Sequence, residues 1–202
     1  MAPMDRLLIA TNNPGKQKEL RALLSDLGIT LVTPKEAGLN LSVAEDGTSY
    51  RENAEKKAIA YASAGGLVAL ADDSGLEVEA LGGAPGLRSA RYVAASGATD
   101  ADRRELLLQN LHGKPRPWRA RFCAAVAISV PGGETSSTEG ECRGEIIPVE
   151  RGSAGFGYDP IFLVDGMDKT MAELPPANKN RLSHRARAVA KALPVLQQLL
   201  HG

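Results

Sequence analysis

Three apolar runs, each only five or six residues long, limit what this chain can become: "RLLIAT" at 6–11, "ITLVT" at 29–33 and "LVALA" at 67–71. Runs of that length suit buried strands and are too short for buried helices. Helix-length stretches separate them. "KQKELRALLSDLG" places Leu20, Leu23, Leu24 and Leu27 at helical spacing, with Gly28 as a stop. "SYRENAEKKAIAYASAGG" is an alanine-rich helix that ends at Gly65-Gly66. Strand alternating with helix predicts an α/β fold.

The pattern then changes. "DADRRELLLQNLHG" reads as a helix, "RARFCAAVAISV" (119–130) as a long strand, "PGGE" as a turn and "TSSTEGECRGEII" as a partly polar strand. This half is expected to add an antiparallel hairpin. "SHRARAVAKALPVLQQLL" is a C-terminal helix with Ser183 as its N-cap, and Pro194 is expected to kink or break it.

With 202 residues and no linker or repeat, the chain is expected to be one domain spanning residues 1–202. Its formal net charge is zero, so no global field draws it to nucleic acid or an anionic membrane, and neither is expected as a partner. An anionic ligand must be met by a local cluster. The two cysteines, Cys123 and Cys142, fall in strand-like segments and are read as reduced core residues. The apolar stretch near the N-terminus is too short for a signal peptide or membrane helix, which gives a cytoplasmic expectation.

Four segments carry possible chemistry. "TNNPGK" (11–16) joins the first strand to the first helix, where free amides and the helix dipole favour an anion and Lys16 reaches a phosphate. Taken alone, it reads as Asn13 capping a helix with Pro14 at its first position. "ADDSG" (71–75) sets two carboxylates where the strand is expected to end. Strand alternation sends Asp72 and Asp73 to opposite sides, one toward a cleft. A carboxylate there is a candidate Mg²⁺ ligand. It needs phosphate oxygens or a second acid, and Glu45, Asp46 and Glu52 are the candidates. In "GSAGFGYDPIF" (152–162), glycines flank Phe156 and Tyr158, bringing backbone close to a ligand and freeing aromatic faces to stack on a flat ring. "NKNRLSHRAR" (178–187) offers Lys179, His184 and Arg185 as donors to phosphate or carbonyl oxygen. Positive charge in the first turn of a helix opposes the dipole there, which favours a functional reading of that segment.

Taken in order, "TNNPGK", "ENA", "ADDSGLEVEALGGAPGLRSARY", "GFGYDPIF" and "SHR" closely resemble the inosine/xanthosine triphosphate pyrophosphatase family, over about residues 6 to 198. The resemblance implies an elongated mixed β-sheet flanked by helices, in two lobes with a central active-site cleft, and a homodimer. It also implies Mg²⁺-dependent hydrolysis of ITP, dITP and XTP to the monophosphate and pyrophosphate, which keeps deaminated purines out of DNA and RNA. Carried over by position, Thr11, Asn12, Asn13, Pro14, Gly15 and Lys16 would bind the triphosphate. Asp73 would be proton acceptor and metal ligand, Ser74 a substrate contact, and Glu45 the second metal ligand. Phe156, Gly157, Tyr158 and Asp159 would form the base loop, with Lys179, His184 and Arg185 as purine-recognising donors. "AEDGTS" departs from the family's usual E-T-G arrangement, so Asp46 stands as the alternative to Glu45.

Overall fold

The computed structural model describes residues 5–201. The expectation of no leader concerns an N-terminus whose first four residues lie outside the described ones. The elements are β1 (Arg6–Ile9), α1 (Pro14–Leu23), β2 (Thr30–Val32), α2 (Tyr50–Gly65), β3 (Ala69–Val78), α3 (Asp100–Leu111), β4 (Trp118–Ser129), β5 (Thr135–Ile146), β6 (Phe162–Val164), α4 (Pro176–Leu182) and α5 (His184–His201). Six strands form one mixed sheet in the order β2-β1-β3-β4-β5-β6. β1 runs parallel to β2 and β3, while β5 and β6 are antiparallel. The α/β architecture therefore combines a β-α-β opening with the expected hairpin, whose turn is closed by the Val130 N–H donating to the Glu134 carbonyl at 3.0 Å.

The chain divides into two compact units. The first holds residues up to 73, 124–140 and those from 184 onward; the second holds 74–123 and 141–183. In the first unit, strand alternation sorts the core onto two faces. Leu7, Ile9, Val68 and Leu70 pack with Leu20 of α1, with Leu24 just after it, and with Val189, Ala192 and Leu196 of α5. Leu8, Ala10, Ala69 and Ala71 pack instead with Ala54, Ala58, Tyr61 and Ala62 of α2. The small residues on the α2 side let that helix lie close to the sheet. The core of the second unit gathers Leu76, Val78, Leu107, Leu111, Phe122, Ile146 and Phe162, all buried.

Two sequence expectations are corrected. β3 does not end at the aspartates but runs on to Val78, because Leu76 and Val78 continue the apolar alternation and are fully buried. Their non-local packing outweighs the turn preference of Asp-Ser-Gly. α5 likewise continues through Pro194 without a break. Proline in a helix costs about 3 kcal/mol. Val189 and Ala192 before it and Leu196 after it are all buried, and burial of such side chains, roughly 1.5–3 kcal/mol for each large one, offsets that cost.

Candidate active site

Alternation along β3 decides what its two carboxylates meet. Asp72 shares the face of Val68 and Leu70, so it points toward α1 and α5; Asp73 shares the face of Ala69 and Ala71 and points toward α2. Adjacent residues thus enter different environments.

Asp72 has no exposed surface. One carboxylate oxygen, Oδ2, accepts from Arg185 Nε at 2.9 Å and lies 3.2 Å from Lys16 Nζ. Arg185 is itself buried and also pairs with Glu19 on α1. Burial pushes the Asp72 carboxyl up, but Arg185, Lys16 and Lys57 outweigh it and hold the group below the ordinary carboxylate range. Burial lowers the Lys16 ammonium, and neighbouring Arg185 and Lys57 add to this; Asp72 opposes it. The turn before α1 is built as local chemistry dictates. Asn13 caps the helix, its side chain accepting from the Lys16 N–H at 3.1 Å, and Pro14 stands in the first turn. Thr11 Oγ1 accepts from the Asn13 N–H at 3.2 Å, and Asn12 donates to the Tyr61 hydroxyl at 3.3 Å.

Asp73 meets α2. Its Oδ2 accepts from Asn53 Nδ2 at 3.1 Å, and its Oδ1 lies 3.2 Å from Lys57 Nζ. Asn53 is oriented in turn by its own Oδ1, which accepts from the Gly47 N–H at 2.8 Å and leaves only the amide donor for Asp73. Lys57 donates to Glu45 Oε1 and to the Asp72 carbonyl, each at 2.7 Å, so one ammonium joins Glu45 to Asp73. Burial raises the Asp73 carboxyl above its ordinary value, against Lys57, Lys16 and the Asn53 hydrogen bond. For Lys57 the burial penalty is overcome by Asp73, Asp72 and Glu45, and its pKa rises. The two neighbouring aspartates are therefore pushed in opposite directions, the condition under which one carboxylate stays fixed as an ion while the other handles a proton.

Glu45 and Asp46 are also separated. The Glu45 side chain is partly buried against Lys57, whereas the Asp46 side chain is exposed and pairs with Lys56. Glu52 turns to the start of α2, where it accepts from the Thr48 N–H at 2.8 Å; that bond and Lys56 lower its pKa to about 2. Asn53, quoted only within "ENA" and given no role, Lys57 and Glu19 escaped the sequence reading. A signal for the first two existed: Asn53, Ala54, Lys57, Ala58, Tyr61 and Ala62 form one buried stripe of α2, with two polar residues a helical turn apart.

The base-loop residues lie in the second unit. Phe156 is half-buried, and Lys179 Nζ stands 5.3 Å from its ring centroid. Asp159 is buried, and its Oδ2 accepts from Lys179 at 2.5 Å and from the Phe156 N–H at 2.9 Å. Gly155 has φ +82°, and a Cβ there would overlap the Asp159 carboxylate. Two residues expected to meet the base are placed otherwise. Tyr158 is core, its hydroxyl donating to the Ser89 carbonyl at 2.9 Å. Arg185, expected as a purine donor, belongs to the first unit and is committed to Asp72 and Glu19. A guanidinium buried between two carboxylates holds both in place. His184 opens α5 beside it and is buried.

A helix N-terminus with a reachable lysine and two carboxylates on one ammonium lie in the first unit of this α/β protein, and a glycine-bounded aromatic loop in the second. Residues 7–195 match the Ham1 family, and the chain belongs to it. It is 45% identical over 200 residues to the dITP/XTP pyrophosphatase of Desulfotalea psychrophila, covering 99% of this chain and 88% of that protein. It is 49% identical over 187 residues to the dITP/XTP pyrophosphatase of Gloeobacter violaceus, covering 93% and 92%. The solved structure of a HAM1 protein from Coxiella burnetii superposes with a TM-score of 0.85 at 38% identity, over 96% of this chain and 100% of that one.

Proposed function

We propose that this chain is a nucleoside triphosphate pyrophosphatase that hydrolyses dITP, ITP and XTP to the nucleoside monophosphate and pyrophosphate, and so removes deaminated purines from the nucleotide pool. The observation that carries the reading is the cluster around Lys57, where a buried Asp73 with a raised pKa is held by Asn53 and faces Glu45 across one ammonium.

The donor set fits Mg²⁺. Glu45 and Asp73 supply hard carboxylate oxygens at a point that already holds a cation, the Lys57 ammonium. The Glu45 carboxylate lies 2.7 Å and that of Asp73 3.2 Å from this ammonium. Mg²⁺ is commonly held by one or two carboxylates with substrate phosphates completing its shell, so a third acidic ligand is not required. Bound there, the ion would neutralise charge on the phosphate oxygens. The protein's own groups do the rest. Lys16 and the positive end of the α1 dipole bind the triphosphate. Asp73, its pKa raised by burial, takes the proton of the attacking water, with Asn53 and Lys57 fixing both its oxygens. Asp72, kept ionised, holds Lys16 and Arg185 in place.

Phe156 offers a ring face to the base, and Lys179, a donor only, suits the O6 acceptor of hypoxanthine or xanthine. Adenine presents an amino donor there, which would set donor against donor, a mismatch that costs orders of magnitude in kcat/KM. The active form is read as a homodimer. Among the described residues no helix is long and apolar enough to cross a membrane, which accords with a cytoplasmic enzyme.

The reading is tested by incubating purified protein with Mg²⁺ and dITP, ATP, GTP or dUTP and following products by phosphorus NMR. Inosine-type monophosphate plus pyrophosphate, with little from the other three, is expected. Release of orthophosphate, or equal turnover of ATP, would overturn it.

A further inference from the structure

Helix α3 contributes to the second unit without supplying a residue to either cluster described above, yet two of its side chains reach the base loop. Asp100, its first residue, accepts from the Gly157 N–H through Oδ2 at 2.7 Å. Arg104, one turn on, donates from Nη1 to the Gly157 carbonyl at 2.8 Å. Four residues apart, the two share a helix face. Gly157 has φ +63°, so neither of its peptide groups belongs to a strand or helix ladder, and α3 takes both.

The clamp is itself firmly set. Thr99 and Asp102 form a capping box at the start of α3, with the Thr99 N–H donating to Asp102 at 2.7 Å. Asp100 Oδ1 accepts from Arg103 at 3.0 Å. The remaining guanidinium nitrogens of Arg104 fork onto Glu150, Nε at 2.8 Å and Nη2 at 3.0 Å, a bidentate pair that fixes the guanidinium plane. The Arg104 side chain is only 13% exposed.

The consequence falls on Phe156. The N–H groups on either side of its Cα are both held by carboxylates, its own by Asp159 and the next, that of Gly157, by Asp100. With both flanking peptides fixed, the direction of the Cα–Cβ bond is set before any ligand arrives, which narrows where the ring can stand. We infer that Asp100 and Arg104 are positioning residues for base recognition: they pre-order the Phe156 loop from outside it and touch no substrate. This rests on the proposed reading of Phe156 as the base shelf.

A group acting only on base binding is engaged equally in the ground and transition states, so its loss raises KM and spares kcat. Hydrogen bonds to charged groups are of a strength that corresponds to about tenfold or more in an equilibrium constant. The experiment compares the parent chain with Asp100→Ala, Arg104→Met and Asp100→Asn, using dITP and, as a substrate without a base, 2-deoxyribose 5-triphosphate. Asp100→Ala and Arg104→Met should each raise KM for dITP roughly tenfold with kcat within about twofold. They should leave kcat/KM for the baseless triphosphate unchanged, and Asp100→Asn, which keeps an acceptor oxygen, should restore most of the loss. An unchanged KM for dITP, or an equal fall on both substrates, would overturn the inference. Failure of the parent chain to hydrolyse dITP would instead overturn the reading on which it rests.

Discussion

Replacing Asp72 by asparagine removes one charge while keeping shape, and tests the buried ion network directly. Asp72 has no exposed surface, and its Oδ2 takes Arg185 at 2.9 Å and Lys16 at 3.2 Å. Arg185 has a side-chain exposure of 1% and would keep Glu19 as a compensating charge. Breaking a buried ion pair from one side costs roughly 3–5 kcal/mol, chiefly because the other charge stays buried and uncompensated. Glu19 keeps part of that compensation, which puts the loss near the lower end, about 3 kcal/mol. For a protein of this size that corresponds to a fall in thermal midpoint of roughly 6–12 °C. A double variant, Asp72→Asn with Arg185→Met, should lose less than the sum of the singles, with a coupling of about 1–3 kcal/mol.

The effect also has a pH sign. The folded pKa of Asp72 lies below its unfolded value of about 3.9. The folded chain therefore binds fewer protons, and unfolding takes protons up. The stabilisation is complete above the unfolded pKa and is lost as pH falls through the folded one. Denaturant midpoints of parent and variant at pH 7 should differ fully, and the gap should narrow as the pH is taken below about 4. A variant within about 0.5 kcal/mol of the parent at pH 7, the usual range for a surface change, would refute the reasoning, as would a gap indifferent to acid.

Two other outcomes follow from the cluster on α2. Asp73→Asn should lower kcat by roughly a hundredfold or more while circular dichroism and thermal midpoint stay near those of the parent, and near-normal turnover would remove Asp73 as the proton acceptor. Glu45→Gln should raise the Mg²⁺ concentration needed for half-maximal rate several-fold, whereas Asp46→Asn, at an exposed carboxylate paired with Lys56, should leave it unchanged. The reverse ranking would make Asp46 the ligand.

What could be read from the sequence was what is local. The Asn13-Pro14 start of α1 was legible because a cap and a first-turn proline act within a few residues. The opposite facing of Asp72 and Asp73 was legible because strand alternation is a property of the backbone. The length of β3 was not, since "DSG" is a turn signal locally and only the burial of Leu76 and Val78 overrides it. Nor was the setting of Arg185, whose partners Asp72 and Glu19 lie 113 and 166 residues away in the chain. Its place in "SHR" suggested a donor toward substrate; folding turned it inward as a brace. Lys57 was hidden for a related reason, because a lysine in an alanine-rich helix looks solvated until the helix is laid on the sheet.

The alternation along β3 has a consequence for how such a chain can change over time. A one-residue insertion just before the aspartates would turn both to the opposite faces, moving the first into the place of the second and the second beyond both sets of partners. The strand is thus closed to length variation for reasons of chemistry as much as of packing. Divergence among descendants of this gene must be sought where the count of residues is free, in loops that supply nothing to either cluster.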